Sequence, residues 1–224
     1  TVTVDASQSV LEDGGAQAIN VTLTTVAGAT LENDLVVSLN AGQAVDTEAN
    51  DATFGALGNF TFSSGTGNGA VDNTVMFTPA ADTVVEDDEG ATITPSGSSL
   101  DGQVSFVASD VSITNNDTAT ISIDDRTVSE GGLSLTFTIT SSNASEEALT
   151  VTVDTADGTA TAGSDYVAVA GSTATITGDS TSTTTTVVVL IKDDLLFEGS
   201  KEFTVSLSGA EYNGVTDATR AVIG

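Results

Sequence analysis

The sequence predicts an all-β protein built as two tandem antiparallel β-sandwiches. Three observations predict it: alternation with a period of two, closely spaced turn glycines, and an internal repeat. Thr alternates with apolar residues through much of the chain, as in Thr136-Phe-Thr-Ile139 and Val151-Thr-Val153. That pattern puts one face of a strand in a core and the other in water. The 22 glycines break the apolar runs at turn-like intervals, and only two prolines occur. Trp is absent and aromatics make up 4% of the chain, so the core must come from Val, Leu, Ile, Ala and eight Phe.

The repeat sets the domain plan. Thr1-Val-Thr-Val-Asp5 leads to Ser9-Val-Leu-Glu-Asp-Gly-Gly15, and Thr120-Ile-Ser-Ile-Asp124-Asp125 leads to Thr127-Val-Ser-Glu-Gly-Gly132. At one constant offset Val37, Leu39 and Asp51 fall on Val151, Val153 and Asp165. A repeat of roughly 100–120 residues with short strands and Gly/Ser/Asp turns suggests sandwiches in series. The boundary is expected at Asp125, giving domains 1–125 and 126–224, with a strand over 119–124 closing the first and feeding the second. Strands of the second copy are expected near 120–129, 133–141, 148–155, 172–177, 184–192, 201–208 and 217–223. The first copy follows this plan with extra length around 63–73 and 96–116, read as longer loops or an added hairpin. The chain starts and stops inside strand-like text, which reads as an excerpt with the second domain cut short.

Charge narrows the partners. Acidic residues number 32 against 4 basic ones, a net charge of −28. No basic surface exists to displace counterions from nucleic acid, and anionic membranes would repel the chain. The longest apolar run, 187–191, is too short for a membrane span. Such acidity either solvates a surface or is partly neutralised by bound divalent cations, and clustering of the acids decides between the two. With no Cys and no His, disulfides, thiolate metal sites and the usual serine and cysteine hydrolase constellations are ruled out. A carboxylate pair could hydrolyse glycosides. Sugar clefts, however, commonly stack on Trp or Tyr, and here there are two Tyr and no Trp. The expectation is a protein that is not an enzyme.

The second copy contains Asp157-Gly-Thr-Ala-Thr-Ala-Gly-Ser-Asp-Tyr166, then Val187-Val-Val-Leu-Ile-Lys-Asp-Asp194, Leu-Leu-Phe-Glu198 and Glu202-Phe-Thr-Val-Ser-Leu207. This resembles the Calx-beta family, known from the regulatory region of sodium/calcium exchangers and from bacterial surface proteins. The first copy has Thr78-Pro-Ala-Ala-Asp82-Thr-Val-Val-Glu86-Asp-Asp-Glu89 in the corresponding place but lacks the Gly-Ser-Asp-Tyr signature. The resemblance implies an immunoglobulin-like sandwich of about seven strands, with calcium bound by loops at one end. Carried over position by position, it implies metal ligands Glu12, Asp51, Asp82, Glu86, Glu89, Asp124 and Asp125 for the first domain. For the second it implies Glu130, Asp165, Asp193, Asp194 and Glu198, with Lys201 where the first has Glu89. Calcium is a hard cation that takes oxygen ligands, and converging carboxylates would repel one another without it. The first domain, with more acids available, is expected to hold calcium more tightly.

The functional expectation is a calcium-binding structural or adhesive module of a secreted or cell-surface protein, in which calcium stiffens neighbouring repeats of the same chain. Its partners would be calcium ions and a cell-surface or polysaccharide ligand, with no nucleic acid and no membrane insertion by this segment. The alternatives are a matrix-binding module of a secreted polysaccharide-degrading protein and a calcium-sensing domain of a transporter.

Overall fold

The computed structural model describes residues 1–5, 8–43, 55–98, 103–196 and 198–224. Among them the only helical pieces are two three-residue 3-10 turns, Glu12–Gly14 and Glu130–Gly132; the regular structure is otherwise strand. The chain divides into two compact units. The first is Thr1–Asp82 with Asp87–Asn116, and the second is Thr83–Glu86 with Asp117–Gly224.

The first unit contains β1 (Val2–Val4), β2 (Gln8–Leu11), β3 (Gln17–Ala18), β4 (Val21–Leu23), β5 (Leu35–Gln43), β6 (Gly55–Phe62), β7 (Ala70–Asp72), β8 (Met76–Phe77), β9 (Glu89–Gly97), β10 (Phe106–Val107) and β11 (Ser109–Thr114). They form a four-stranded sheet ordered β10-β1-β4-β7, a five-stranded sheet ordered β2-β11-β9-β5-β6, and a small β3-β8 pair. Alternation drives the packing. Val2, Val4, Val21 and Leu23 of the first sheet share one core with Leu35, Val37, Leu39, Ala91, Ile93, Val111 and Ile113 of the second. Two sheets that each bury one face against the other form a sandwich.

The second unit contains β12 (Ala119–Ile123), β13 (Ser134–Ser141), β14 (Leu149–Asp157), β15 (Ser172–Ile176), β16 (Thr184–Leu190), β17 (Phe203–Tyr212) and β18 (Ala221–Ile223). A sheet ordered β16-β13-β12-β18 faces one ordered β15-β14-β17. Ile121 and Ile139 of the one pack with Leu149, Val151, Val153, Ala174 and Ile176 of the other. A second cluster of Leu135, Phe137, Tyr166 and Val189 fills the end of the unit nearest the acidic loops.

Two expectations need correction. The strand over 119–124 does not close the first domain. It pairs with β13 and β18 inside the second unit. The strand that lies at the end of the first unit is β11, within the stretch 96–116 expected as a longer loop or an added hairpin; it pairs antiparallel with β9 and buries Val111 and Ile113 between β2 and β9. Both segments alternate equally well, and which sheet a strand joins depends on non-local pairing that alternation does not encode. The second correction concerns residues 83–86. Val85 is fully buried in the core of the second unit, and its backbone pairs with Ala144 and Glu146 at 2.9 and 3.0 Å. A short strap of the first copy thus belongs to the second unit.

Candidate metal centre

In the second unit β12, β14 and β16 end where β13 and β17 begin, so their connecting loops gather at one end of the sandwich. There they line a cleft of about 1160 Å³. Six carboxylates face it: Asp124, Asp125, Glu130, Asp165, Glu198 and Glu202.

Each is positioned by the local fold. Asp124 and Asp125 follow the last residue of β12, and Asp124 accepts the Thr138 amide at 2.8 Å. That bond, aided by Arg126, with which Asp124 forms an ion pair, holds the Asp124 carboxyl below the usual range. Glu130 opens the second 3-10 turn.

Asp165 is presented by the loop after β14. Gly163 supplies a φ of 90° there, in the left-handed region glycine tolerates. The loop is closed by Asp157, whose Oδ1 accepts the Tyr166 hydroxyl at 2.7 Å and the Ala162 amide at 2.8 Å. The Tyr166 hydrogen bond is the main reason the Asp157 carboxyl lies low. Burial pushes the Tyr166 phenol up, and its ring stacks on Phe203 at 4.3 Å. Tyr166 is therefore a packing residue, and Asp157, which sequence reasoning did not single out, anchors it. The signal was available, since Asp157 is the first residue of the quoted motif.

The same loop is tied to the start of β17. Ala160 donates to the Glu202 carbonyl at 2.8 Å, and Glu202 donates to the Thr159 hydroxyl at 2.8 Å. These bonds bring Lys201 to Asp165 at 2.6 Å and into an ion pair with Glu198. The lysine is the main reason the Asp165 carboxyl is held below its usual range, and Asp165 in turn raises the lysine.

Asp193 and Asp194 are not in the cleft lining. Asp193 Oδ2 lies 4.0 Å from where a side chain on Gly131 would begin, and Asp194 accepts the Leu196 amide at 2.6 Å. Among the described residues, no three acids lying wholly within this unit bring oxygens within 4.8 Å of one another.

In the first unit, Glu12 lies in the 3-10 turn after β2 and is 3% exposed. Its Oε1 accepts the Asp82 amide at 3.1 Å, and the two side chains bring carboxylate oxygens within 4.8 Å. Nearby strand ends add Asp13, which accepts from the Asn116 side chain at 3.2 Å, and Asp88, which accepts the Asn115 amide at 3.3 Å. Glu89 opens β9, opposite Ile113.

Three residues expected as first-domain ligands lie elsewhere. Asp124 and Asp125 line the cleft of the second unit. Glu86 is buried in the strap of that unit, its carbonyl accepting from Arg220 at 2.8 Å. Asp51 lies outside the described residues. The premise that the first domain has more ligands loses Asp124, Asp125 and Glu86 with this reassignment.

Residues 113–223 match the family model of the Calx-beta domain. The second half of the chain is a Calx-beta domain. No curated protein matches the chain. Solved structures that align with it include CBD12 from CALX1.2, at 17% identity over 92% of this chain and 78% of that one, with a TM-score of 0.39. The calcium binding domain CBD12 of CALX1.1 aligns at 15% identity over 97% and 82%, with a TM-score of 0.43. The apo-form Calx CBD1 domain aligns at 16% identity over 52% and 98%, with a TM-score of 0.38.

The donors of this Calx-beta domain suit a hard divalent cation. Apart from Arg126 and Lys201, every charged side chain lining the cleft is a carboxylate, and none is a soft ligand.

Proposed function

We propose that the chain is a tandem pair of calcium-binding domains whose work is mechanical and adhesive, in a secreted or cell-surface protein. The observation that carries this reading is the convergence of Asp124, Asp125, Glu130, Asp165, Glu198 and Glu202 on one cleft of a Calx-beta domain. Membership of the first half rests on the repeat: Val37 and Leu39 of β5 and Val151 and Val153 of β14 are buried core residues at matching places in the sequence. Its Glu12 and Asp82 stand close together after β2 and before the strap.

Glu130, with Asp124 and Asp125 beside it in the cleft lining, would hold calcium in the second domain, and Glu12 and Asp82 in the first. The ion would supply positive charge to loops that otherwise carry like charges side by side. Calcium suits such sites because it accepts six to eight oxygens in flexible geometry, whereas magnesium demands a tight octahedron and keeps its waters. Binding rather than catalysis is supported by a chain with no His and no Cys. Export fits a chain with no Cys, because an unpaired thiol is a liability in an oxidising compartment.

Thermal melting of the chain in EDTA and in 5 mM calcium tests the reading. A ligand bound only by the native state adds RT ln(1 + [L]/Kd), so a site with a Kd of about 0.5 mM adds roughly 1.4 kcal/mol at that concentration. That corresponds to a rise of about 6 °C in the unit that holds it. Magnesium at the same concentration raises melting far less. Superimposable melts in chelator and calcium sink the reading.

A further inference from the structure

The chain has only four basic residues, Arg126, Lys192, Lys201 and Arg220. Three of them stand at the acidic end of the second unit. Arg126 pairs with Asp124, Lys192 donates to the Gly163 carbonyl at 2.5 Å, and Lys201 bridges Asp165 and Glu198.

Lys201 is the best placed of them. It sits just ahead of β17, and the bonds between Thr159, Ala160 and Glu202 fix its backbone against the loop that carries Asp165. Its ammonium contacts one oxygen of each of two carboxylates from different loops, Asp165 Oδ1 and Glu198 Oε2. The lysine side chain is 30% exposed, Asp165 16% and Glu198 27%, so the group is screened less than an ordinary surface pair. A compact point charge with three donors, placed between two carboxylates, does electrostatically what a bound metal ion does there. The first copy has Glu89 at the corresponding place in its sequence.

We infer that Lys201 is a tethered cation that occupies the position between Asp165 and Glu198 which a divalent ion would otherwise take. The inference rests on the calcium reading above. It makes the two domains unlike. The second orders its loop end with its own ammonium and admits calcium at this pair only by expelling the lysine.

The test uses the whole chain and two variants, Lys201→Gln and Lys201→Glu, with Glu12→Gln as a marker for the first domain. Calcium is counted by equilibrium dialysis, and melting is followed in EDTA. The native chain is expected to bind calcium sensitive to Glu12→Gln. Lys201→Glu is expected to bind one more calcium per chain, and Lys201→Gln to tighten the weakest step by about tenfold, since affinity follows the charge at the site. Both lower the melting of the second unit in EDTA and regain it in calcium. If both keep the native count, affinities and melting in EDTA while the native chain still binds calcium, the tether is overturned and the calcium reading stands. If no form binds calcium, the calcium reading falls and takes the tether with it.

Discussion

Replacing Val85 by Ala tests whether the strap is structural. Val85 is fully buried and packs with Ile121, Leu149, Ala174 and Ile176 in the core of the second unit, although its neighbours in sequence, Asp82 and Asp87, belong to the first. Val85→Ala deletes two methyl groups, each worth about 0.8 kcal/mol when buried. The backbone around Val85 is held by its bonds to Ala144 and Glu146, so the site cannot collapse freely. A residual void of roughly 40 Å³ adds about 1 kcal/mol. The expected loss is about 2.5 kcal/mol in the second unit, or a fall of ~10 °C in its melting transition. Differential scanning calorimetry of the intact chain reads it as a shift of one transition, with Thr83→Ala, an exposed neighbour, as the matched control. If Val85→Ala and Thr83→Ala melt alike, the strap is not part of that core. A fragment limited to 113–224 lacks the strap and should melt at or below the Val85→Ala value.

Acid unfolding gives a second expectation. Asp179 and Asp217 are held at about 2, chiefly by the Ser182 and Thr219 hydroxyls respectively, whereas their unfolded value is ~3.9. A depressed carboxylate contributes stability that is full above the unfolded value and is lost as pH falls toward the folded one. The double variant Asp179→Asn, Asp217→Asn should therefore flatten the fall in urea midpoint between pH 5 and 2, and an unchanged slope would refute it. A third concerns Gly158, where a β-carbon would lie 2.5 Å from the Glu202 carbonyl oxygen, backbone that cannot step aside cheaply. Gly158→Ala should cost about 1–3 kcal/mol by overpacking and weaken the loop that presents Asp165. Melting within 1 °C of the native value would show that the approach is not tight.

The second half of the fold was nearly all legible in the sequence, because its strands alternate cleanly and its turns are marked. Leu135, Phe137 and Ile139 read as one buried face and are one. The first half was less legible. Val111 and Ile113 alternate as plainly as Ile121 and Ile123, but nothing local says which pair ends one sandwich and which begins the next. The strap was invisible for a related reason, since Val84-Val85 inside an acidic run carries no signal of a partner more than fifty residues away. At the site, the acids that converge are mostly those the family pattern marks, because loop positions at strand ends fix which side chains meet. The pattern could not show that Asp193 and Asp194 stand outside the cleft or that Asp124 and Asp125 serve the second unit. It marked Lys201 as a departure in charge. That the lysine bridges two of the acids depends on the Thr159, Ala160 and Glu202 bonds, which only the folded chain reveals.

The central claim is that these acids hold calcium. Its most direct measurement is equilibrium dialysis of the whole chain against radioactive calcium at physiological ionic strength, beside Glu12→Gln, Asp82→Asn and Glu130→Gln variants. The account predicts saturable binding in or below the ~0.1–1 mM range, with binding lost in the domain that carries each substitution and kept in the other. No saturable binding by the native chain, or binding that all three substitutions leave untouched, would contradict it.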